Sequence, residues 1–196
     1  MTSPVYWHPF FYRIAMKLLY GKYFEARYRL IAELIPENAS VVELCAGDAY
    51  LYSNYLRAKG VHYTGLDINK AFVRAAKAKG ISFLEHDLAS DKIPPADYVI
   101  LQASLYQFIP NEDRIIQKLL DATRKVLIIS EPIRNLSDSD NTLVRLLAKY
   151  SANPGKGHAV DRFNEVSLLS CFKRFREFSE MKVPEGGREM IGIFRK

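Results

Sequence analysis

Four carboxylates in the first half of the chain have a spacing that suits a ligand-binding site. Glu43 and Asp48 flank Gly47 in the stretch VVELCAGDAYLY. Asp67 follows Gly47 by 20 residues, and Asp87 comes later still. Acids around a glycine turn repel an anion, at a cost on the order of 1 kcal/mol or more for close charges near a protein surface. These residues therefore favour a ligand that is cationic near the turn.

The elements that must position these acids alternate between strand and helix. Apolar patterning predicts strands over 40–45, 61–67, 81–87, 96–104 and 124–130, with two late strands over 175–183 and 188–196. Helices are predicted over 49–60, 69–80, 111–123, 137–150 and 163–174. Asn69 and Asn111 are the expected N-caps of two of these helices, and Gly60 and Gly80 are the expected terminators.

Five β–α alternations followed by two strands predict an α/β fold of Rossmann-like type. The expected sheet has seven mostly parallel strands, an antiparallel edge and helices on both faces. Residues 1–37 are expected to form an N-terminal helical segment that acts as a substrate lid or cap, and residues 38–196 the ligand-binding domain. In such a sheet the ligand lies at the carboxyl ends of the early strands. Asp97, which begins the fourth strand, is expected to be structural.

The glycine turn does not match the common nucleotide-binding fingerprints. A G-x-G-x-x-G pattern aligned on Gly47 falls on Cys45, Gly47 and Tyr50, so one position of three matches. No GKS or GKT tripeptide is present, which excludes a phosphate-binding P-loop. The 20-residue step to Asp67 does match the usual distance to an acid that binds ribose hydroxyls. The combination indicates an adenosine-containing ligand with positive charge near the turn.

The ordered motifs resemble those of class I S-adenosylmethionine-dependent methyltransferases. In that family the first motif is an acid followed by alternating small residues, which here are Glu43, Cys45, Gly47 and Ala49. GLDIN resembles the second motif and LEHDL the third, while ADYVILQASLYQF and KVLIISEP resemble the fourth motif and the fifth strand. The similarity spans about residues 38–135, with the motifs in order.

The resemblance implies that S-adenosyl-L-methionine is the cofactor and S-adenosyl-L-homocysteine its product. Asp48 is equally well explained as a helix cap, and Gln102 as an ordinary polar residue at a strand end. No NPPY-type tetrapeptide follows the fourth strand, which argues against the amino-methylating nucleic-acid enzymes that use one. The cofactor contacts that the resemblance implies are Glu43, Cys45, Ala46, Gly47, Asp67, Ile68, Asp87, Leu88 and Gln102.

Tyr106 and His158 are the candidate catalytic residues. The resemblance places Tyr106 near the methyl-acceptor pocket, although a packed aromatic residue is an equal explanation. His158 and Arg162 could reach the site from a late loop, and Glu131 and Arg134 follow the fifth strand. A sulfonium is already a good leaving group, so catalysis is expected to rest on proximity and alignment. A general base is needed only if the acceptor arrives protonated.

Composition limits the partners of the protein. The chain has 196 residues, a formal net charge of +6 and two cysteines without a CxxC pattern, so neither a disulfide scaffold nor a metal site is expected. No apolar run approaches the roughly 18 residues of a spanning helix, and no signal peptide is recognisable, which favours the cytoplasm. A small-molecule acceptor is expected, and the charge is compatible with an anionic or lipid-like one.

Three other functions compete with small-molecule methylation. An RNA methyltransferase is suggested only by the net charge, because no appended binding domain or dense basic patch is present. A nicotinamide oxidoreductase is disfavoured by the acidic turn. A non-catalytic adenosyl-ligand-binding or membrane-associated module would use the aromatic residues at positions 6–12 for peripheral membrane contact, although these could equally form a lid or pack against the first helix.

Overall fold

The computed structural model describes residues 13–14, 16–17, 21–133 and 162–196, and its strands form one sheet. The order across the sheet is β3-β2-β1-β4-β5-β7-β6. Strands β1 to β5 run parallel, and β7 lies antiparallel between β5 and β6. The predicted fold is confirmed. The seven strands of the described part are β1 Ser40–Leu44, β2 His62–Asp67, β3 Phe83–Glu85, β4 Ala96–Gln102, β5 Thr123–Pro132, β6 Phe178–Lys182 and β7 Glu189–Arg195.

The helices of the described part flank this sheet. They are α1 Ala26–Glu33, α2 Lys70–Lys77, α3 Glu112–Ala122 and α4 Glu165–Phe172. Short 3-10 turns span Gly21–Tyr23 and Leu105–Phe108. The helix predicted over 137–150 lies outside the described residues. Within the described residues, no helix combines the length and the apolar character needed to cross a bilayer.

The helix predicted over 49–60 has a different geometry from the expected α-helix. It contains a π-helical segment, Tyr52–Leu56, followed by a 3-10 turn, Arg57–Lys59. The Asn54 side chain donates a 2.9 Å hydrogen bond to the carbonyl of Tyr50, which is the oxygen that the Asn54 N–H would use in an α-helix. A side chain that competes for a backbone acceptor in this way loosens the regular ladder, which explains the wider turn.

The predicted ends of the elements are partly confirmed. The Asn69 side chain accepts a hydrogen bond from the Ala71 N–H and caps α2. Gly60 ends the first helical region in the left-handed conformation, with φ +64°. Asn111 does occupy the N-cap position of α3, but its side chain makes no capping hydrogen bond there. The third strand is shorter than predicted, since Asp87 belongs to a turn in which it accepts from the Ala89 N–H.

Two apolar cores cover the two faces of the sheet. One core joins α1, the π-helical segment and α2 to the sheet, and the other joins α3 and α4 to it. Strand β1 shows the alternation, since Val41 belongs to the first core and Val42 and Leu44 to the second. Burial of one such side chain stabilises the fold by about 1.5–3 kcal/mol. Glu43 shares the face of Val41 because side chains alternate along a strand.

Helix α1 is attached to the sheet by buried polar contacts. The Arg27 guanidinium forms an ion pair with Glu189 of β7, and both side chains are almost fully buried. The Lys59 ammonium donates to the carbonyls of Ala32 and Ile35 and so satisfies the end of α1. These contacts fix α1 against the sheet. A lid or cap role for residues 1–37 stays a prediction, and the aromatic residues at positions 6–12 lie outside the described residues.

Gly192 provides a test of core packing. A Cβ atom at this position would lie 2.5 Å from the ring of Phe172, which is fully buried. We expect Gly192→Ala to lower the free energy of unfolding by about 1–3 kcal/mol, because the rigid ring and the strand must move apart. Denaturant unfolding measures this loss. The same substitution should cost less in a Phe172→Leu background, and an equal cost in both backgrounds would contradict the explanation.

Candidate functional site

The turn after β1 contains three left-handed residues in alternation. Cys45, Gly47 and Ala49 have φ values of +52°, +55° and +56°. These are the three positions that the first motif reserves for small residues. A left-handed conformation costs a residue with a Cβ roughly 1–2 kcal/mol, whereas glycine adopts it freely. The backbone of the turn therefore explains why the motif prefers glycine, and it places local strain at Cys45 and Ala49.

Asp67 holds this turn against the end of β2. One carboxylate oxygen accepts a 2.8 Å hydrogen bond from the Gly47 N–H, and the other accepts a 2.8 Å hydrogen bond from the Asn69 N–H. The Ala46 N–H also donates to the carbonyl of Leu66. Burial raises the pKa of Asp67, and the two backbone hydrogen bonds oppose that rise. The 20-residue spacing thus has a structural cause, because it brings Asp67 at the end of β2 next to the turn that follows β1.

Glu43 belongs to a cluster of buried polar side chains on the face of the sheet that α1 covers. Its carboxylate accepts 2.6 Å hydrogen bonds from the Tyr63 hydroxyl and from the Gln102 side-chain amide. The structure therefore brings together two of the predicted cofactor contacts, Glu43 at the end of β1 and Gln102 at the end of β4. Burial raises the pKa of Glu43 to about 7, although both hydrogen bonds favour the ionised form. The carbonyl oxygen of the Gln102 side chain is buried without a partner in the described part of the chain.

Asp48 is paired with the N-terminal segment. The Arg13 Nε donates a 2.7 Å hydrogen bond to the Asp48 carboxylate, and the Asp48 side chain is almost fully buried. The Arg13 guanidinium also lies 5.3 Å from the centre of the Tyr50 ring. A cation from the segment before α1 therefore offsets one of the acids of the turn. Sequence patterns gave no signal for this pair, because the two residues are 35 positions apart and lie on different elements.

Three of the predicted cofactor contacts, including the predicted adenine contact Asp87, lie beyond β2 and β3. Ile68 directly follows Asp67 and is 59% exposed, which is unusual for a large apolar side chain next to a buried acid. Asp87 is half-buried, and one of its carboxylate oxygens accepts from the Ala89 N–H. Leu88 is buried, and its carbonyl accepts from the Lys118 ammonium of α3. The apolar surface available at this end of the site is therefore that of Ile68.

Of the two catalytic candidates, the structure describes Tyr106. It is a buried residue of the 3-10 turn after β4, and the Arg162 guanidinium lies 3.7 Å from the centre of its ring. Burial raises the pKa of Tyr106, while the charge of Arg162 opposes the rise, so the phenol is neutral at pH 7. His158 and Arg134 lie outside the described residues.

The thiol of Cys45 is not a nucleophile at neutral pH. Burial is the main cause that raises its pKa to about 12, and the carboxylate of Asp67 adds to the rise. A thiol at this pKa stays protonated, and the thiolate is the reactive form. Cys45 is thus explained by its small size at a left-handed position.

Asp97 lies at the opposite edge of the sheet from the candidate site. It stands near the start of β4, where it forms a 3.0 Å ion pair with Lys125 and where its N–H donates to the Ser40 hydroxyl. Because β4 runs parallel to β1, its first residues are far from the carboxyl ends that hold Glu43 and Gln102. The contacts agree with a structural role for Asp97.

Glu112, Asp113 and Cys171 are the one group in the described part whose ligand atoms are close enough to hold a metal ion. Arg174 donates hydrogen bonds to both carboxylates. Burial raises the pKa of the Cys171 thiol to about 12, so it is protonated at pH 7. The Arg174 guanidinium therefore supplies the positive charge that balances the two carboxylates, so their proximity is explained without a metal ion.

Comparison with known proteins places the chain in a family. Residues 25–136 match the model of the family described as methionine biosynthesis protein MetW, which is more than half of the chain. The chain belongs to this family. No curated protein matches it at a significant level. The matched range begins at the start of α1 and ends just after β5, so it includes every predicted cofactor contact.

Solved structures from several organisms are similar in fold. Magnesium protoporphyrin IX methyltransferase (ChlM) from Synechocystis, solved with bound S-adenosylhomocysteine, is 16% identical, with a TM-score of 0.62 over 94% of each chain. An S-adenosylmethionine-dependent methyltransferase from Mesorhizobium loti is 14% identical, with a TM-score of 0.66 over 91% of this chain and 100% of that one. The complex of the Haloferax volcanii Trm112 methyltransferase activator with a methyltransferase contains a chain that is 12% identical, with a TM-score of 0.71 over 100% of this chain and 98% of that one.

These likenesses confirm the predicted resemblance at the level of the fold. The solved structures include S-adenosylmethionine-dependent methyltransferases, and the seven-stranded sheet with an antiparallel edge is shared with them. At identities of 12–16% the likeness concerns the backbone, so the chemistry of this chain must be argued from its own site.

Replacement of Cys45 tests the strain in the turn. We expect Cys45→Gly to raise the free energy of unfolding by about 0.5–1 kcal/mol, because relief of the left-handed conformation exceeds the entropy that glycine gains in the unfolded chain. Cys45→Ala is the matched control, since it removes the thiol but keeps the Cβ atom. Denaturant unfolding of the two variants compares them, and an equal gain in both would show that the thiol rather than the backbone is responsible.

The raised pKa of Glu43 predicts a pH-dependent stability. A carboxyl group whose pKa is higher in the folded state than in the unfolded chain stays protonated up to a higher pH in the folded state. The folded state therefore loses stability as pH rises from about 4.5 through about 7. We expect Glu43→Gln to be more stable than the wild type at pH 8, by on the order of 2 kcal/mol, and to be similar at pH 4.5. Denaturant unfolding between pH 4.5 and pH 8 measures how this difference in stability grows as pH rises. A constant difference at all pH values would contradict it.

Proposed function

We propose that the chain is an S-adenosylmethionine-dependent methyltransferase that acts on a small-molecule acceptor. The observation that carries the proposal is the acid-bordered turn. Asp67 fixes three left-handed residues through the Gly47 N–H, and Glu43 and Asp48 are buried beside it. The charges of Asp67 and of ionised Glu43 favour the sulfonium and α-ammonium groups of the cofactor, while the charge of Asp48 is already offset by Arg13. They disfavour the pyrophosphate that a dinucleotide would place at the same turn.

The side chains at the site suit the remaining parts of the cofactor. Each oxygen of Asp67 accepts one backbone N–H, and a carboxylate oxygen has a second lone pair that could accept from a ribose hydroxyl. Ile68 offers an exposed apolar surface to an adenine ring, and the half-buried Asp87 could accept from the exocyclic amine. We assign cofactor binding to the nine predicted residues, which are Glu43, Cys45, Ala46, Gly47, Asp67, Ile68, Asp87, Leu88 and Gln102.

The proposed reaction is an in-line displacement. A lone pair of the acceptor forms a bond to the methyl carbon while the carbon–sulfur bond breaks and its electrons return to sulfur, which gives neutral S-adenosylhomocysteine. The sulfonium supplies the driving force, so the protein contributes alignment, which can be worth several kcal/mol. Tyr106 is assigned to the acceptor side. Its neutral phenol and the Arg162 guanidinium can orient a polar or anionic acceptor, and His158 is the second candidate for proton transfer.

The distribution of charge supports a small acceptor over RNA. Several cationic side chains in the described part form ion pairs with acids of the same chain, including Arg27 with Glu189, Arg174 with Glu112 and Arg195 with Glu180. Phosphate contacts require free cations on one surface. The family is named for methionine biosynthesis, which also agrees with a small metabolite. Saturable, salt-sensitive binding of RNA at physiological ionic strength would instead support the RNA methyltransferase alternative.

A protein partner is compatible with this function. One structure of similar fold is a complex with a methyltransferase activator, so a partner of this chain would not conflict with the proposed chemistry. Peripheral contact with a membrane and a lipid-like acceptor also remain part of the proposal. Co-sedimentation with anionic liposomes, compared with neutral ones, tests membrane contact directly.

Asp67 is the residue that tests cofactor binding. We expect the wild type to bind S-adenosylhomocysteine, Asp67→Asn to weaken binding at least about tenfold, and Asp67→Ala to weaken it further, because the carboxylate orders the turn and accepts from the ribose. Isothermal titration calorimetry measures these affinities, and circular dichroism checks folding.

Asp97→Asn is the matched control for the Asp67 variants, since it removes an acid at the other edge of the sheet and should change the affinity less than twofold. NADH serves as the ligand control and should not bind. Unchanged affinity in Asp67→Ala, or tighter binding of NADH than of S-adenosylhomocysteine, would refute the cofactor assignment.

A further inference from the structure

Glu131 is a buried carboxylate that the proposed methyl transfer does not use. It lies near the carboxyl end of β5 and has no exposed surface. Its Oε1 atom accepts 2.6 Å hydrogen bonds from the N–H groups of both Ser104 and Leu105. Its Oε2 atom is buried without a partner in the described part of the chain. A carboxylate buried with one unsatisfied oxygen is costly, so fold stability alone does not account for it.

The two N–H groups belong to the turn that carries Tyr106. This turn leaves β4 through Ala103, which adopts a left-handed φ of +47°, and the Ala103 N–H donates to the carbonyl of Ser130. The Ser104 hydroxyl donates a 3.0 Å hydrogen bond back to the carbonyl of Gln102. A left-handed conformation at a non-glycine residue persists only when the surroundings enforce it. Here strand β5 supplies that enforcement through Ser130 and Glu131.

Several charged and titratable groups surround Glu131. Glu189 of β7 raises its pKa and is itself paired with Arg27 of α1. Cys45 in the first turn and Tyr106 also interact with it electrostatically, and the Arg162 guanidinium lies over the Tyr106 ring. Burial is the largest cause that raises the pKa of Glu131 to about 7, and the backbone N–H groups of the turn oppose the rise. The charge that holds the turn therefore changes near neutral pH.

We propose that Glu131 is a positioning residue that fixes the turn 103–106, and with it the Tyr106 side chain, on the acceptor side of the site. This inference rests on the proposed function for its meaning, since Tyr106 is assigned to the acceptor there. Two N–H groups that converge on one charged oxygen define the direction of the turn more tightly than a single neutral contact. Loss of the charge frees the start of the 3-10 turn while the cofactor turn keeps its own tie to Asp67.

Nuclear magnetic resonance of the full chain tests the proposal. In the wild type the amide protons of Ser104 and Leu105 should titrate together with one midpoint near neutral pH. Glu131→Gln should abolish this titration, accelerate amide exchange at both residues about tenfold at pH 8, and shift the Tyr106 ring resonances. Glu131→Asp keeps the charge and should restore a titration at the same two amides.

Controls separate this role from general loosening of the core. Glu180→Gln, which removes a half-buried acid of β6 that pairs with Arg195, should leave the Ser104, Leu105 and Tyr106 resonances unchanged. If Glu131→Gln does not fold, absence of a paired titration of the two amides at any pH at which the wild type and Glu131→Asp stay folded still overturns the proposal. Unchanged exchange in a folded Glu131→Gln also overturns it.

Titration with S-adenosylhomocysteine distinguishes the two levels of inference. The affinity of Glu131→Gln should stay within threefold of the wild type, because the cofactor turn is held by Asp67, and a larger loss would place Glu131 on the cofactor side instead. A wild type that does not bind S-adenosylhomocysteine would refute the proposed function. The paired titration would then still decide whether Glu131 holds the turn.

Discussion

The site depends on the hydrogen bond from the Gly47 N–H to the carboxylate of Asp67. Without it, the Ala46–Leu66 backbone hydrogen bond would be the described contact left to tie the turn to β2, and the turn would still have to hold three alternating left-handed positions, two of which carry a Cβ atom. The bond joins the carboxyl ends of two neighbouring parallel strands, so the sheet itself sets the distance between turn and acid. The position of Ile68 follows from the same contact, because it is the next residue along the chain.

The carboxyl edge of the sheet concentrates buried acids. Four buried acids lie at strand ends along this edge, namely Glu43, Asp67, Glu131 and Glu189. Arg27 is also buried and forms an ion pair with Glu189. A protein selected for stability alone would not gather such groups, since each ionised carboxylate loses hydration on burial. Perturbed acids that cluster at one edge are typical of functional sites. At this edge the buried acids lower the free energy of unfolding and at the same time favour a cationic ligand. Both effects depend on pH, because the charges of Glu43 and Glu131 do.

Sequence patterns predicted the fold and the meeting of Asp67 with the turn after β1 for physical reasons, while the cofactor contacts stay a prediction. Strand and helix periods give the order of elements, and the acid after β2 must return to the turn after β1 in any sheet of this type. The contacts made by Arg13 and by Tyr63 were not predictable, because they join elements whose relative placement is a tertiary property. The π-helical segment was missed because a single side chain, Asn54, redirects one backbone acceptor.

The exposure of Ile68 has a thermodynamic consequence. An aliphatic side chain that is 59% exposed keeps ordered water against its surface while the site is open. A ring that covers it would release that water, and the association would show a negative change in heat capacity. The enthalpy of binding should then become more favourable as temperature rises, in a way that the hydrogen bonds of the neighbouring acids would not produce.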